Sequence, residues 1–151
     1  MPLELTSRSP AETEALGEEF GRLAQSGLVI TLSGDLGAGK TQFVKGLARG
    51  LGVPGRIHSP SFTLVNEYEG GRLKLFHLDL YRLETRAQIR SAGIEEFLNP
   101  DGVSVIEWAE RWFGENGAPG SPGPASKNFW RVSIAIVSET GRKIIYDHPG
   151  A

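Results

Sequence analysis

The run Gly34-Asp-Leu-Gly-Ala-Gly-Lys-Thr41, directly after the apolar segment Leu28-Val-Ile-Thr-Leu32, constrains this chain more than any other stretch. It fits the pattern GxxxxGK[ST]. Its three glycines let the backbone adopt sterically restricted dihedrals and turn successive N–H groups inward, toward the phosphates of a nucleotide. Lys40 then offers a point charge to the outer phosphates. Thr41 is placed to put its hydroxyl on Mg²⁺ at the start of the following helix, where free amides and the macrodipole favour an anion. A plain glycine-rich turn is the alternative in a chain with 20 glycines in 151 residues. The strand before it and the amphipathic helix after it favour the phosphate cradle.

Element by element, Ser9-Pro-Ala-Glu12 reads as a helix start, with Ser9 as N-cap, Pro10 at the first helical position and Glu12 closing a capping box. Leu16, Phe20, Leu23 and Ala24 recur at helical spacing and predict one buried stripe ending near Ser26-Gly27. After the loop, a helix from about Lys40 carries Phe43, Val44, Leu47 and Leu51 on one face, stopped by Gly52 and Pro54. Phe62 to Tyr68 alternates, Gly70-Gly71 supplies a turn, and Arg72 to Leu80 returns as the second strand of a hairpin. Thr85-x-x-Gln88 opens a helix that is interrupted at Gly93 and resumes through Ile94, Phe97 and Leu98. Val103 to Ile106 is short and apolar, as a central parallel strand should be. Trp130 to Val137 and Lys143 to Tyr146 predict a closing hairpin around Glu139-Thr-Gly141, after a flexible Gly/Pro/Ser-rich loop over about 114–128.

The order helix, strand, helix, hairpin, helix, strand, hairpin predicts one three-layer α/β domain. It is a P-loop NTPase-like fold with a mixed, mainly parallel central sheet and antiparallel hairpins. The length suits a single domain. A formal net charge of −2 and a pI near 5.9 give no broad footprint for nucleic acid, so a role toward RNA is expected to be indirect. The absence of cysteine removes disulfide and thiolate chemistry. No stretch approaches the ~20 apolar residues of a membrane span, and the N-terminus has no basic-then-apolar leader, so a soluble cytoplasmic protein is expected.

A Mg²⁺·nucleotide site needs an acid near Thr41, and Glu107 at the end of Val103 to Ile106 is the candidate, because ligands of open α/β sheets bind at strand carboxyl ends. It could hold the metal, orient water, or do both; a solvated acid at a strand end is the alternative. In His77-Leu-Asp-Leu-Tyr-Arg82, the two-residue period of a strand puts His77, Asp79 and Tyr81 on one face. Asp79 could position water or complete the metal's outer shell, with His77 or Tyr81 orienting it. The alternative is a polar face that meets solvent. Trp108 could stack on a base or wall off water, whereas Trp112 and Phe113 fit ordinary core. Ser59 to Thr63 lies where many such folds carry a switch segment, although a Ser-Pro turn explains it too.

No NKxD motif is present and the lone DxxG match, Asp147 to Gly150, ends the chain, which disfavours a GTPase. No arginine-rich lid is evident, which disfavours a small-molecule kinase and favours hydrolysis, or binding with slow hydrolysis. A nucleotide-gated interaction module with incidental hydrolysis remains a separate class.

GDLGAGKT at Gly34 to Thr41, SPSFTLV at Ser59 to Val65, HLDLYR at His77 to Arg82 and VIEWAER at Val105 to Arg111 occur in this order. Together they closely resemble the bacterial TsaE (YjeE) family of small P-loop ATPases, with weaker likeness at Thr13, Gly17 and Gly93 to Phe97. The resemblance implies an ATP-binding and ATP-hydrolysing subunit of the system that makes threonylcarbamoyladenosine at adenosine 37 of tRNA. Its implied partners are TsaD- and TsaB-type proteins, with tRNA met only indirectly. Lys40, Asp79 and Glu107 would be its catalytic residues, and Thr41 and Glu107 its Mg²⁺ ligands. Gly34, Asp35, Leu36, Gly37, Ala38, Gly39, Lys40, Thr41 and Gln42 would form the nucleotide site with Trp108. Loss of the Glu107 side chain is expected to cost turnover and Mg²⁺ affinity with the fold intact. The chain departs from the family at Gly114 to Asn128. Thr13 and Arg142 stay unassigned, and weak self-association stays open.

Overall fold

Seven strands form one sheet in the computed structural model, which describes residues 3–35, 37–57, 64–114 and 129–147. In chain order the described elements are β1 (Leu3–Ser7), α1 (Pro10–Leu23), β2 (Leu28–Ser33), α2 (Lys40–Leu51), β3 (Val65–Tyr68) and β4 (Leu75–Asp79). There follow α3 (Arg86–Ser91), a 3₁₀ turn (Ile94–Phe97), β5 (Val103–Glu107), α4 (Glu110–Phe113), β6 (Phe129–Ile136) and β7 (Arg142–Tyr146). The spatial order is β1-β7-β6-β2-β5-β4-β3. The four middle strands run parallel, and the antiparallel pairings lie at the flanks, β3 on β4 and β1-β7-β6 on the other side.

The alternation of β2 divides the core. Leu28, Ile30 and Leu32 face α1 and α2, in a cluster with Phe20, Phe43, Leu47, Val105 and Val132. Val29 faces the other way, with Leu78, Ile89, Ile106 and Trp112 beneath α3 and α4. The result is the expected three layers. Phe20, wholly buried, makes edge contacts with Phe43, Trp130 and Tyr146 at 5.3, 5.5 and 5.8 Å and ties both helices to the sheet.

The helices α1 and α2 meet through glycine. A Cβ at Gly17 would lie 2.1 Å from the Phe43 carbonyl, and one at Gly46 would lie 1.9 Å from the Glu14 carbonyl, so the two backbones touch where hydrogen replaces a side chain. The same pattern recurs one turn on at Gly21 and Gly50. This close approach turns α1 so that Leu23, expected in the buried stripe, is 46% exposed, while Thr13, Gly17 and Gly21 join Leu16 and Phe20 inside.

Capping follows the local signals closely. Ser9 accepts from the Glu12 N–H, although the Glu12 carboxylate takes the N–H of Arg8 and not that of Ser9. Thr85 and Gln88 form a complete capping box, and Gly93 breaks the helix there in a left-handed conformation. Two elements go beyond the expected order, the largely exposed edge strand β1 and the single turn α4. The first hairpin is shorter than its alternating pattern, because β4 stops at Asp79 and β3 starts at Val65. The predicted loop over 114–128 lies outside the described residues apart from Gly114, which caps α4.

Candidate nucleotide-binding site

Parallel register brings the candidate residues to one edge of the sheet. Leu32 of β2 pairs with Glu107 of β5, and Glu107 pairs with Asp79 of β4, so the loop after Ser33 and both acids emerge at neighbouring strand ends. The loop turns through Gly34, Gly37 and Gly39, with φ of 152°, 80° and 108°. Ala38 N–H closes a turn on the Asp35 carbonyl at 3.0 Å, and α2 begins at Lys40. From below, Thr13 of α1 supports Gly39 and bonds the Ser7 hydroxyl at 2.7 Å.

These ends border a cleft of about 600 Å³, within the usual range for a ligand site. Gly37, Gly39, Lys40, Thr41, Gln42, Asp79, Glu107 and Trp108 all line it. Three further residues of the loop do not line the cleft. Gly34 packs against β6, where a Cβ would come within 2.5 Å of the Ile134 carbonyl; Asp35 is exposed; Ala38 is buried with its side chain out of the cleft. Leu36 and the Ser59 to Thr63 segment lie outside the described residues.

At the centre is a buried chain of polar side chains. Lys40 Nζ lies 3.6 Å from Glu107 Oε1, and Glu107 Oε2 meets His77 Nε2 at 2.5 Å. All three side chains are less than a tenth exposed. His77 therefore orients Glu107, while the expected neighbour of Asp79 is the main chain: the Tyr81 N–H donates to Asp79 Oδ1 at 2.9 Å. Burial pushes the Asp79 carboxyl above its ordinary range; the Tyr81 N–H opposes this, the nearby Glu107 adds to it, and Lys40 and His77 pull it back.

Trp108 adopts φ of 57°, a conformation rare for a bulky residue. That kink carries its ring over Lys40 Nζ at 4.7 Å and against Tyr81 at 5.1 Å between centroids. Trp108 thus lines the cleft. Tyr81, beyond the end of β4, is 47% exposed on the same wall.

Thr41, Asp79 and Glu107 present hard oxygen donors to one cleft, which suits Mg²⁺. Among the described residues no group of three or more His, Asp or Glu is placed to hold a metal. A metal here would therefore take most of its ligands from phosphate and water, as Mg²⁺ accompanying a nucleotide does.

Ser9, Pro10, Thr13, Arg82, Glu139, Thr140 and Arg142 also line the cleft. Pattern reading gave none of them a site role: Ser9 and Pro10 were read as a helix start, Arg82 as the end of the HLDLYR run, Thr13 and Arg142 stayed unassigned, and Glu139 and Thr140 were read as a hairpin turn. One signal was available for the hairpin. A strand parallel to β2 must deliver its C-terminal turn to the edge where the phosphate loop begins.

The family model described as "Threonylcarbamoyl adenosine biosynthesis protein TsaE" matches residues 7–144. A protein of Bacillus subtilis named tRNA threonylcarbamoyladenosine biosynthesis protein TsaE is 45% identical over 101 residues, 67% of this chain and 63% of the relative. One of the same name from Treponema pallidum is 48% identical over 109 residues, 72% of this chain and 80% of the relative. The match thus spans a little under two thirds of the Bacillus relative's length. A crystal structure of Bacillus subtilis YdiB superposes with a TM-score of 0.73 at 33% identity, covering 97% of this chain and 84% of that one. With its P-loop fold and this match over nearly its whole length, the chain belongs to the TsaE family.

Proposed function

We propose that this chain binds and hydrolyses Mg²⁺·ATP as the nucleotide-dependent subunit for threonylcarbamoyladenosine modification of tRNA adenosine 37, acting on a TsaD–TsaB-type complex. The observation that carries the reading is the convergence of the loop lysine Lys40 with Glu107 and Asp79 at adjoining strand ends of one cleft. The names of the relatives supply the pathway.

In this reading Lys40 neutralises the outer phosphates, and the Gly39 amide and the first turn of α2 meet the inner ones. Thr41 supplies a hydroxyl ligand to the magnesium that arrives with the nucleotide. Glu107, turned by His77, holds that metal through water or aligns the attacking water; Asp79 sits one strand over to accept a hydrogen bond from the same water. Trp108 and Tyr81 shield the phosphates from bulk solvent.

Glu107 is engaged on both oxygens, by Lys40 and by His77. This favours slow hydrolysis by the chain alone and faster hydrolysis once a partner and nucleotide draw Lys40 away. Calorimetry with Mg²⁺·ATP, followed by phosphate release with and without TsaD and TsaB, tests the proposal. Binding that vanishes in Lys40→Ala and turnover that rises with partners are expected. No heat of association with wild type sinks the nucleotide reading, whereas tight binding with no partner stimulation leaves a nucleotide-gated interaction module. Loss of threonylcarbamoyladenosine from bulk tRNA on gene deletion, rescued by wild type and not by Lys40→Ala, tests the pathway.

A further inference from the structure

Arg142, the first residue of β7, sends its guanidinium to the phosphate loop. Nε donates to the Ala38 carbonyl at 3.0 Å and Nη2 to the Gly37 carbonyl at 3.2 Å. Nη1 turns back on its own hairpin, to the carbonyls of Ser138 at 3.0 Å and Gly141 at 2.9 Å. One planar cation thereby fastens together segments 104 residues apart, using the rigid fork that lysine lacks.

We infer that Arg142 is a positioning residue that holds the phosphate loop in its ligand-ready shape, an inference that rests on the nucleotide reading above. The loop needs such a strap because glycines at 37 and 39 let its peptide planes turn at little cost. A trans peptide points its carbonyl and its N–H in opposite directions, and no described peptide is cis. Fixing the Ala38 carbonyl on Arg142 therefore fixes the Gly39 N–H away from Arg142, and Gly39 lines the cleft. The plane before it is held at both ends, the Gly37 carbonyl by Arg142 and the Ala38 N–H by the Asp35 carbonyl. Holding these planes beforehand removes an ordering cost from binding.

The charge matters as well. Among the described residues Arg142 makes no ion pair, and it lines the same cleft as the loop it fastens. Its role is nevertheless on the loop's carbonyls and not on a phosphate. That distinction can be measured.

Arg142→Met keeps the apolar stem and removes the donors; Arg142→Lys keeps the charge and loses the fork. Amide hydrogen exchange resolved by NMR on the protein without nucleotide reads the strap directly. Faster exchange at the Ala38 amide, which the Asp35 carbonyl holds, is expected in Arg142→Met, with Arg142→Lys between it and wild type and with little change in the melting midpoint. Calorimetry should show ADP and Mg²⁺·ATP weakened by the same factor, about tenfold or more, because the strapped amides serve phosphates common to both. Unchanged exchange in the loop, or faster exchange confined to residues 137–141, overturns the inference. Weakening for ATP alone also overturns it, since that would make Arg142 a contact of the terminal phosphate. If Arg142→Met does not fold, the same comparisons on Arg142→Lys decide. Should wild type bind no nucleotide, the function reading fails while the exchange result still reports on the strap.

Discussion

Asp79 and Glu107 sit side by side on adjacent strands but carry different burdens. Because burial raises the Asp79 carboxyl, the folded chain holds its proton to a higher pH than the unfolded chain does. Its contribution to stability is therefore full below the ordinary aspartate value of about 3.9 and is lost as pH rises through the higher folded value. Asp79→Asn keeps an oxygen for the Tyr81 N–H and removes the charge. Urea unfolding without nucleotide should find it more stable than wild type at pH 7, with the difference closing below pH 4; equal midpoints at pH 7 count against this. Glu107 has a side-chain partner on each oxygen. Its alanine variant strands a buried lysine and leaves His77 without its Nε2 partner, which in buried ion pairs costs about 3–5 kcal/mol. Glu107→Ala is therefore expected to combine lost turnover with lost stability, and Glu107→Gln is the cleaner probe of the chemistry. Phosphate release from Glu107→Gln should fall by about two orders of magnitude or more with Mg²⁺·ATP binding retained. The place of Glu107 was legible because strand ends beside a phosphate loop are where ligands sit, whereas Asp79 was reached through the HLDLYR run, for which a polar face meeting solvent stood as the alternative. The bond from His77 to Glu107 was not legible. Period-two reasoning puts His77 and Asp79 on one face, but the register sets His77 opposite Val105, and only the coordinates show the Glu107 side chain turning back from its place beside Asp79 to meet the His77 ring.

Among the elements, α1 and α2 show where pattern reading succeeds and stops. Their limits and caps follow from Ser9, Pro10, Gly39 and Gly52. The contact face does not follow from the apolar residues alone, because at Gly17 and Gly46 the interface is made by what is missing from the side chain. Hydropathy gives glycine no direction, so Leu23 was assigned inward. Gly46→Ala tests the difference. In an exposed helix interior that change stabilises by about 1 kcal/mol; here the added methyl would collide with the Glu14 main chain, and a loss of roughly 1–3 kcal/mol is expected in thermal or urea unfolding. A stabilised variant would show that the helices are farther apart than described. Strand β1 was missed for a related reason. An edge strand whose burial is mostly exposed carries little apolar alternation, and its place is set by pairing with β7.

For the molecule as a whole, the proposed binding would be linked to folding, since the cleft is built from the start of α1, the phosphate loop and first turn of α2, the ends of β4 and β5 and the β6–β7 turn together. At a hundred times its dissociation constant Mg²⁺·ATP adds about 2.7 kcal/mol, which for a chain of this size raises the melting midpoint by roughly 5–10 °C. Differential scanning fluorimetry should show that rise in wild type and none in Lys40→Ala; an equal rise in both would move the site away from the loop. Most of the architecture was readable because a strand, a phosphate loop and a helix set the direction of the central strands. What needed coordinates was the convergence of residues far apart in the chain, above all Arg142 with Ala38.

Lys40 has a counter-ion within the chain, a carboxylate 3.6 Å from its ammonium. Any anion that reaches the loop must therefore outbid a tethered rival whose local concentration exceeds that of free salts in solution. Inorganic phosphate and sulfate bring a single handhold to that contest and should be poor guests. On the proposed reading, a polyphosphate escorted by a divalent cation would grip the amides, give Glu107 a new positive neighbour and release the lysine in the same exchange, so the pair would work as a filter on what settles there.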